Sequence, residues 1–212
     1  YSKYPYSSLY FKRCSEGEIF RCFIENTDTR KLEEIFSIKV KEQGFVSWSY
    51  TEILESSSFN FFQKNLKDYP TKLTYLKDER KDKRQSLSQV YEEAQSALVF
   101  LYPYQSTKKA LPKNFPLASY SMAFDEDYHY VIKNKLANLL EYLQNTFSCE
   151  GVVTIDTHPI LEKDLAQRSG LGWIGKNTLL IHQQEGSYCF IGSLILNTKL
   201  STKNKVVLEY VK

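Results

Sequence analysis

Three glycines stand within six residues in the run Gly170-Leu171-Gly172-Trp173-Ile174-Gly175-Lys176-Asn177. No other stretch restricts the possible folds as much. The run contains the pattern GxGxxG, and it nearly matches GxxxxGK[ST], with Asn177 where serine or threonine is required. Both patterns bind phosphate only when a strand precedes the glycines and a helix follows, so that the helix N-terminus points at the anion. Here the order is reversed. A helix starting with Pro159 in its preferred first position, with Thr157 or His158 near the cap, leads into Gly170. The strand-like stretch 178–181 comes after. That order argues against a nucleotide site. Glycines at this density still permit positive φ and close approach to the main chain. Trp173 offers a flat apolar face, and Lys176 and Asn177 offer polar groups at the rim. Two readings stay open on these residues: a plain connector, or a backbone cradle for a large planar ligand carrying amides.

Around this loop the periodicities alternate between strand and helix. Residues 8–25 read as a hairpin about Ser15-Glu16-Gly17-Glu18, and 26–29 supply cap chemistry for a helix that runs to Glu42 and stops before Gly44. That helix carries Leu32, Ile35, Phe36 and Val40 on one face. A short strand is expected over 45–50, and two short helices broken at Pro70 over 59–76. The continuous apolar run Ala97-Leu-Val-Phe-Leu-Tyr102 reads as a buried strand. Residues 126–147 form the clearest helix, with Ile132, Leu136, Leu139, Leu140, Leu143 and Phe147 at 3- and 4-residue spacing. A strand over 151–155 follows, and 178–181 with 188–196 are expected to pair as a hairpin about Gln184-Glu185-Gly186. The implied class is α+β, a mixed sheet flanked by helices.

The four cysteines, at 14, 22, 149 and 189, have no CxxC spacing, which argues against a zinc or iron–sulfur site within this sequence. A net charge of +3 is uninformative, although basic clusters at 77–84 and at Lys108, Lys109 and Lys113 suit either solvated loops or phosphates. No apolar stretch approaches membrane-helix length and no secretion signal is recognisable, so a cytoplasmic protein without membrane contact is expected. Two aspartates sit where chain ends emerge from the core. Asp127 opens the long helix in Asp127-Tyr128-His129, and Asp156 ends a strand. Each is also what a helix dipole alone would favour at its N-terminus.

The runs SYSMAFDEDYHYVIKNKL, TIDTHPILEKDLA, RSGLGWIGKNTLLI and GSYCFIGSLILNTKL, in this order over roughly 94–200, resemble the cobalamin domain of the epoxyqueuosine reductase family. The resemblance implies a fold like that of flavin nitroreductases and reductive dehalogenases. It also implies two-electron removal of the epoxide oxygen of epoxyqueuosine at the tRNA wobble base, giving queuosine. The family's acid is the aspartate of DYH, here Asp127. Such an acid needs a pKa near working pH, and an apolar wall including Tyr128 is expected to raise it. Cofactor contacts carried over are Arg84, Asp156, Thr157 and the loop Gly170, Leu171, Gly172, Trp173, Ile174, Gly175, Lys176 and Asn177. Cobalamin proteins with a histidine below cobalt continue Asp-x-His-x-x-Gly. After Asp127 and Asp156 the last position is Ile132 or Leu161, so base-off binding without a histidine ligand is expected.

The family continues beyond this point into a ferredoxin-like domain holding two [4Fe-4S] clusters, which this sequence does not encode. Electrons are therefore expected from a donor or an iron–sulfur domain outside it, with the tRNA anticodon loop as partner. The domain reading is an N-terminal extension over 1–25, a cobalamin-binding domain over 26–200 and a polar tail over 201–212. The alternative is a cobalamin-binding or carrier module without turnover.

Overall fold

The computed structural model describes residues 29–72, 74–104, 119–122, 124–147 and 149–200. The expected hairpin over 8–25, the lysines at 108, 109 and 113, and the polar tail lie outside these. Helix α1 (Thr29–Glu42) is followed by strand β1 (Ser47–Thr51), and helix α2 (Phe59–Asp68) by three short 3-10 turns. Strand β2 (Ser96–Pro103), helix α3 (Tyr128–Phe147), strand β3 (Gly151–Ile155) and helix α4 (Glu162–Arg168) come next. The chain continues through β4 (Trp173–Ile174), β5 (Leu180–Ile181) and β6 (Cys189–Leu196). Gly44 ends α1 with φ +88°, the left-handed turn that glycine adopts without strain.

The main sheet has the order β1-β2-β6-β3, and the α+β class with flanking helices is what the chain adopts. Its pairings are all antiparallel, where the sequence reading allowed for a mixed sheet. The register sets Phe100 opposite Gly192 and Val153 opposite Leu194. Side chains alternate across a strand, so β2 feeds two cores. Leu98 and Phe100 join Phe36, Val40, Ile132, Leu136, Leu139 and Leu143 on one face. Ala97, Val99 and Leu101 join Leu87, Leu165, Leu171, Leu180 and Ile195 on the other. Burial on both faces is why 97–102 is apolar at every position. Gly192 lets α3 settle against β6, since a Cβ there would stand 2.7 Å from Leu136 Cδ1.

Two local expectations are corrected. The helix after β3 begins at Glu162, with Leu161 as its cap, and not at Pro159. Asp156 has φ +34°, and Thr157 and Ile160 close tight turns onto the carbonyls of Ile155 and His158, so 156–160 folds as a bend before the helix starts. The hairpin between 178–181 and 188–196 does not form either. β6 is bonded along both edges, by β2 and β3, and has no edge left for β5. β5 pairs with β4 instead, and only the bridge between His182 and Gly186 marks the expected turn. Among the described residues no helix is long and apolar enough to cross a membrane.

Candidate active site

The N-terminus of α3 and the C-terminus of β3 meet at one cluster. Asp127 caps α3: its Oδ1 accepts the backbone N–H of His129 at 2.8 Å, and its carbonyl accepts from Tyr130 at 3.0 Å. This is the ordinary use of an aspartate at a helix start. The same Oδ1 lies 2.8 Å from His129 Nδ1, and His129 Nε2 lies 3.0 Å from Asp156 Oδ2. The imidazole is thus clamped between two carboxylates. Tyr128 donates its hydroxyl to Asp156 Oδ2 at 2.9 Å, and the backbone N–H of Asp156 donates to Glu162 Oε1. Aromatic rings hold this arrangement from below. Tyr128 lies parallel to Phe190 at 4.4 Å and against His129 at 3.9 Å, and Phe124 stacks on Phe190.

The charges follow from this geometry. Hydrogen bonds from the backbone and side chain of His129 hold the Asp127 carboxyl below the usual aspartate range. Burial opposes charging of His129, but the bonds to Asp127 and Asp156 outweigh it and raise its pKa. Glu162 is almost surrounded by protein, and burial with the nearby Asp156 pushes it up to about 8. The expected apolar wall around Asp127 is therefore absent from this arrangement. The Asp127 side chain is 69% exposed, and the Tyr128 ring lies under His129 instead. The raised carboxyl is Glu162, which no spacing in the sequence marks.

The other candidates divide. Asp156 has both its carboxylate and its N–H engaged within the chain. Thr157 gives its N–H and hydroxyl to Ile155, and its carbonyl accepts from Arg80 at 3.3 Å. In the glycine loop, Gly172 and Gly175 are closed by their own chain. A Cβ on Gly172 would stand 2.3 Å from the Ile181 carbonyl, and one on Gly175 would stand 2.5 Å from Ile181 Cδ1. Gly170, at φ +87°, faces open space, and Lys176 and Asn177 are exposed. Leu171 is buried in the core, and Trp173 and Ile174 form β4. Arg84 is 10% exposed, lies over the Phe62 ring at 5.5 Å and pairs with Asp78 at 3.6 Å. Its buried Nη1 makes no hydrogen bond.

Residues 84–157, which include Arg84, Asp127, His129 and Asp156, match the family described as "Epoxyqueuosine reductase QueG, DUF1730". The match is to the epoxyqueuosine reductase family. The epoxyqueuosine reductase of Cyclobacterium marinum is 32% identical over 145 residues, 68% of this chain and 46% of the relative. That of Leadbetterella byssophila is 33% identical over 141 residues, 66% of this chain and 46% of the relative. The chain thus spans just under half the length of these relatives. In fold it is similar to the epoxyqueuosine reductase of Streptococcus thermophilus, with a TM-score of 0.68 and 24% identity over 83% of this chain and 48% of that one. It is likewise similar to an epoxyqueuosine reductase solved with a tRNA-Tyr epoxyqueuosine-modified tRNA stem loop, at TM-score 0.67 and 20% identity over 80% of this chain and 46% of that one.

Proposed function

We propose that this chain is the cofactor-binding half of an epoxyqueuosine reductase, acting on epoxyqueuosine in a tRNA anticodon loop. The observation that carries the reading is that the family match runs through both arms of the Asp127–His129–Asp156 cluster. Base-off cobalamin suits the residues around it. Gly170 faces open space, Lys176 and Asn177 stand exposed beside it, and Arg84 keeps a buried, unbonded N–H. Those groups would meet the amides of a corrin, with main-chain groups of 156–157 at the rim. Bound there, the cofactor would supply electrons from reduced cobalt to the strained carbon–oxygen bond.

The chain's own contribution is a proton. The leaving oxygen must be protonated as its bond breaks, and Asp127, exposed at the helix start, is the group that would present it. The electrons require a donor or iron–sulfur domain beyond this sequence. The test combines two measurements: an absorption titration with cob(II)alamin, and turnover of an epoxyqueuosine-bearing RNA stem loop under a chemical reductant. Stoichiometric base-off binding with queuosine formed is expected. Binding without product from the reduced chain would favour the carrier module, and no binding by the folded chain would defeat both readings.

A further inference from the structure

Deoxygenating an epoxide consumes more protons than one aspartate holds. Both carbon–oxygen bonds break, a carbon–carbon π bond forms, and the oxygen leaves as water. The balance is one epoxide, two electrons and two protons to one alkene and one water. On the proposed reading the electrons come from the external reductant by way of the cofactor. The protons must come through the protein. Asp127 in this arrangement is a carboxylate bonded to a donor, not a carboxylic acid in an apolar pocket.

We propose that the protons delivered through Asp127 are held on His129, clamped between Asp127 and Asp156. This rests on the functional reading above, and it makes His129 a positioning residue that acts through Asp127. The geometry fits a directed transfer. As an imidazolium, His129 donates from Nδ1 to Asp127 Oδ1 at 2.8 Å and from Nε2 to Asp156 Oδ2 at 3.0 Å. When Nδ1 gives up its proton to Asp127, which passes it to the departing oxygen, the Nε2–H stays bonded to Asp156. Asp156 thus fixes the tautomer that is left. The imidazole side chain is 34% exposed, so solvent recharges it for the second proton. Every element around it takes part. Asp127 and Tyr128 face it from α3, Asp156 from the end of β3, Glu162 from α4, and the apolar Phe190 of β6 supports the Tyr128 ring beneath it.

Two readouts test this. The first needs no cofactor: the His129 imidazole is followed by NMR against pH in the whole chain and assigned by its loss in His129→Gln. It is expected to titrate above the ordinary histidine value of about 6.5, and to fall toward that value in Asp156→Asn. The second is single turnover of the stem loop with chemically reduced cobalamin. His129→Gln keeps cob(II)alamin binding but slows the reaction by about 100-fold or more, the usual scale for a lost proton donor. The rate loss at high pH that tracks the imidazole also disappears. An imidazole titrating at or below the ordinary value, or a His129→Gln chain with an unaltered rate and pH profile, overturns the proposal. A wild-type chain that makes no product defeats the functional reading and this use of the proton with it. The NMR titration then still decides whether the clamp holds the imidazole charged.

Discussion

At the scale of single residues, the least comfortable group is Glu162. Its carboxyl accepts the N–H of Asp156, and burial beside the Asp156 carboxylate raises it from 4.5 to about 8. A carboxyl raised in the folded state is favoured when protonated. Its contribution to stability is therefore complete below the unfolded value of 4.5 and is lost as pH rises through about 8. Glu162→Gln keeps an acceptor for the Asp156 N–H and cannot ionise. The urea midpoint of the unaltered chain should drop between about pH 5 and about pH 9 by more than that of the variant. Parallel curves for the two proteins would show that Glu162 is not the titrating group. Asp164 behaves in the opposite sense. Burial penalises its charge, but bonds from Ser57, Arg168 and the Ser58 N–H outweigh this and hold it low. The Asp164 and Arg168 side chains are 3% and 9% exposed, so Asp164→Ala strands a buried guanidinium. A loss of about 3–5 kcal/mol in chemical denaturation is expected, and a loss below about 1 kcal/mol would mean that Arg168 finds another partner.

At the scale of elements, the glycine loop divides into positions with different jobs. Gly170 serves the turn out of α4: φ is +87°, and a Cβ added there would meet nothing within 4 Å. Gly172 serves the contact between β4 and β5, where a Cβ would stand 2.3 Å from the Ile181 carbonyl. Gly170→Ala should cost about 1–2 kcal/mol, the strain of a left-handed alanine. Gly172→Ala should cost about 3 kcal/mol, because backbone must move. Equal losses in thermal melts would contradict this division. The same contrast marks how far the sequence could be read. Helices α1 and α3 and strand β2 were legible because their apolar spacing is a direct image of the faces they bury. Asp127 was legible as a helix cap and as part of DYH. The pairing of β5 was not, because the choice between β4 and β6 depends on β6 being filled on both edges. Glu162 was missed for a related reason. Its approach to Asp156 depends on the bend at 156–160, which Pro159 suggested would be helix.

At the scale of the whole molecule, β2 makes the two cores one structure. Leu98 and Phe100 belong to the layer under α1 and α3, while Val99 and Leu101 belong to the layer over α4. Neither layer can lose its packing without exposing a strand that the other also requires, so the described fold should unfold as one cooperative unit. The chain's two tryptophans test this from opposite sides. Trp48 packs edge-on against Phe36 at 4.8 Å in the first layer. Trp173 stands in β4, paired with β5 and its Leu180 of the second layer. In a Trp48→Phe chain, fluorescence reports only the second layer. Adding Leu136→Ala, which empties a fully buried site in the first layer, should cost about 2–5 kcal/mol and move the Trp173 transition down together with the far-UV dichroism. A Trp173 transition that stayed in place while the dichroism split into two steps would mean that the layers unfold separately. The Asp127–His129–Asp156 clamp would then depend on α3 and β3 alone, since both of its arms rise from the first layer's helix and the strand beside it. A single transition instead ties the clamp's geometry to packing on both faces of the sheet, so that a cavity under α4 would loosen it as surely as one under α3.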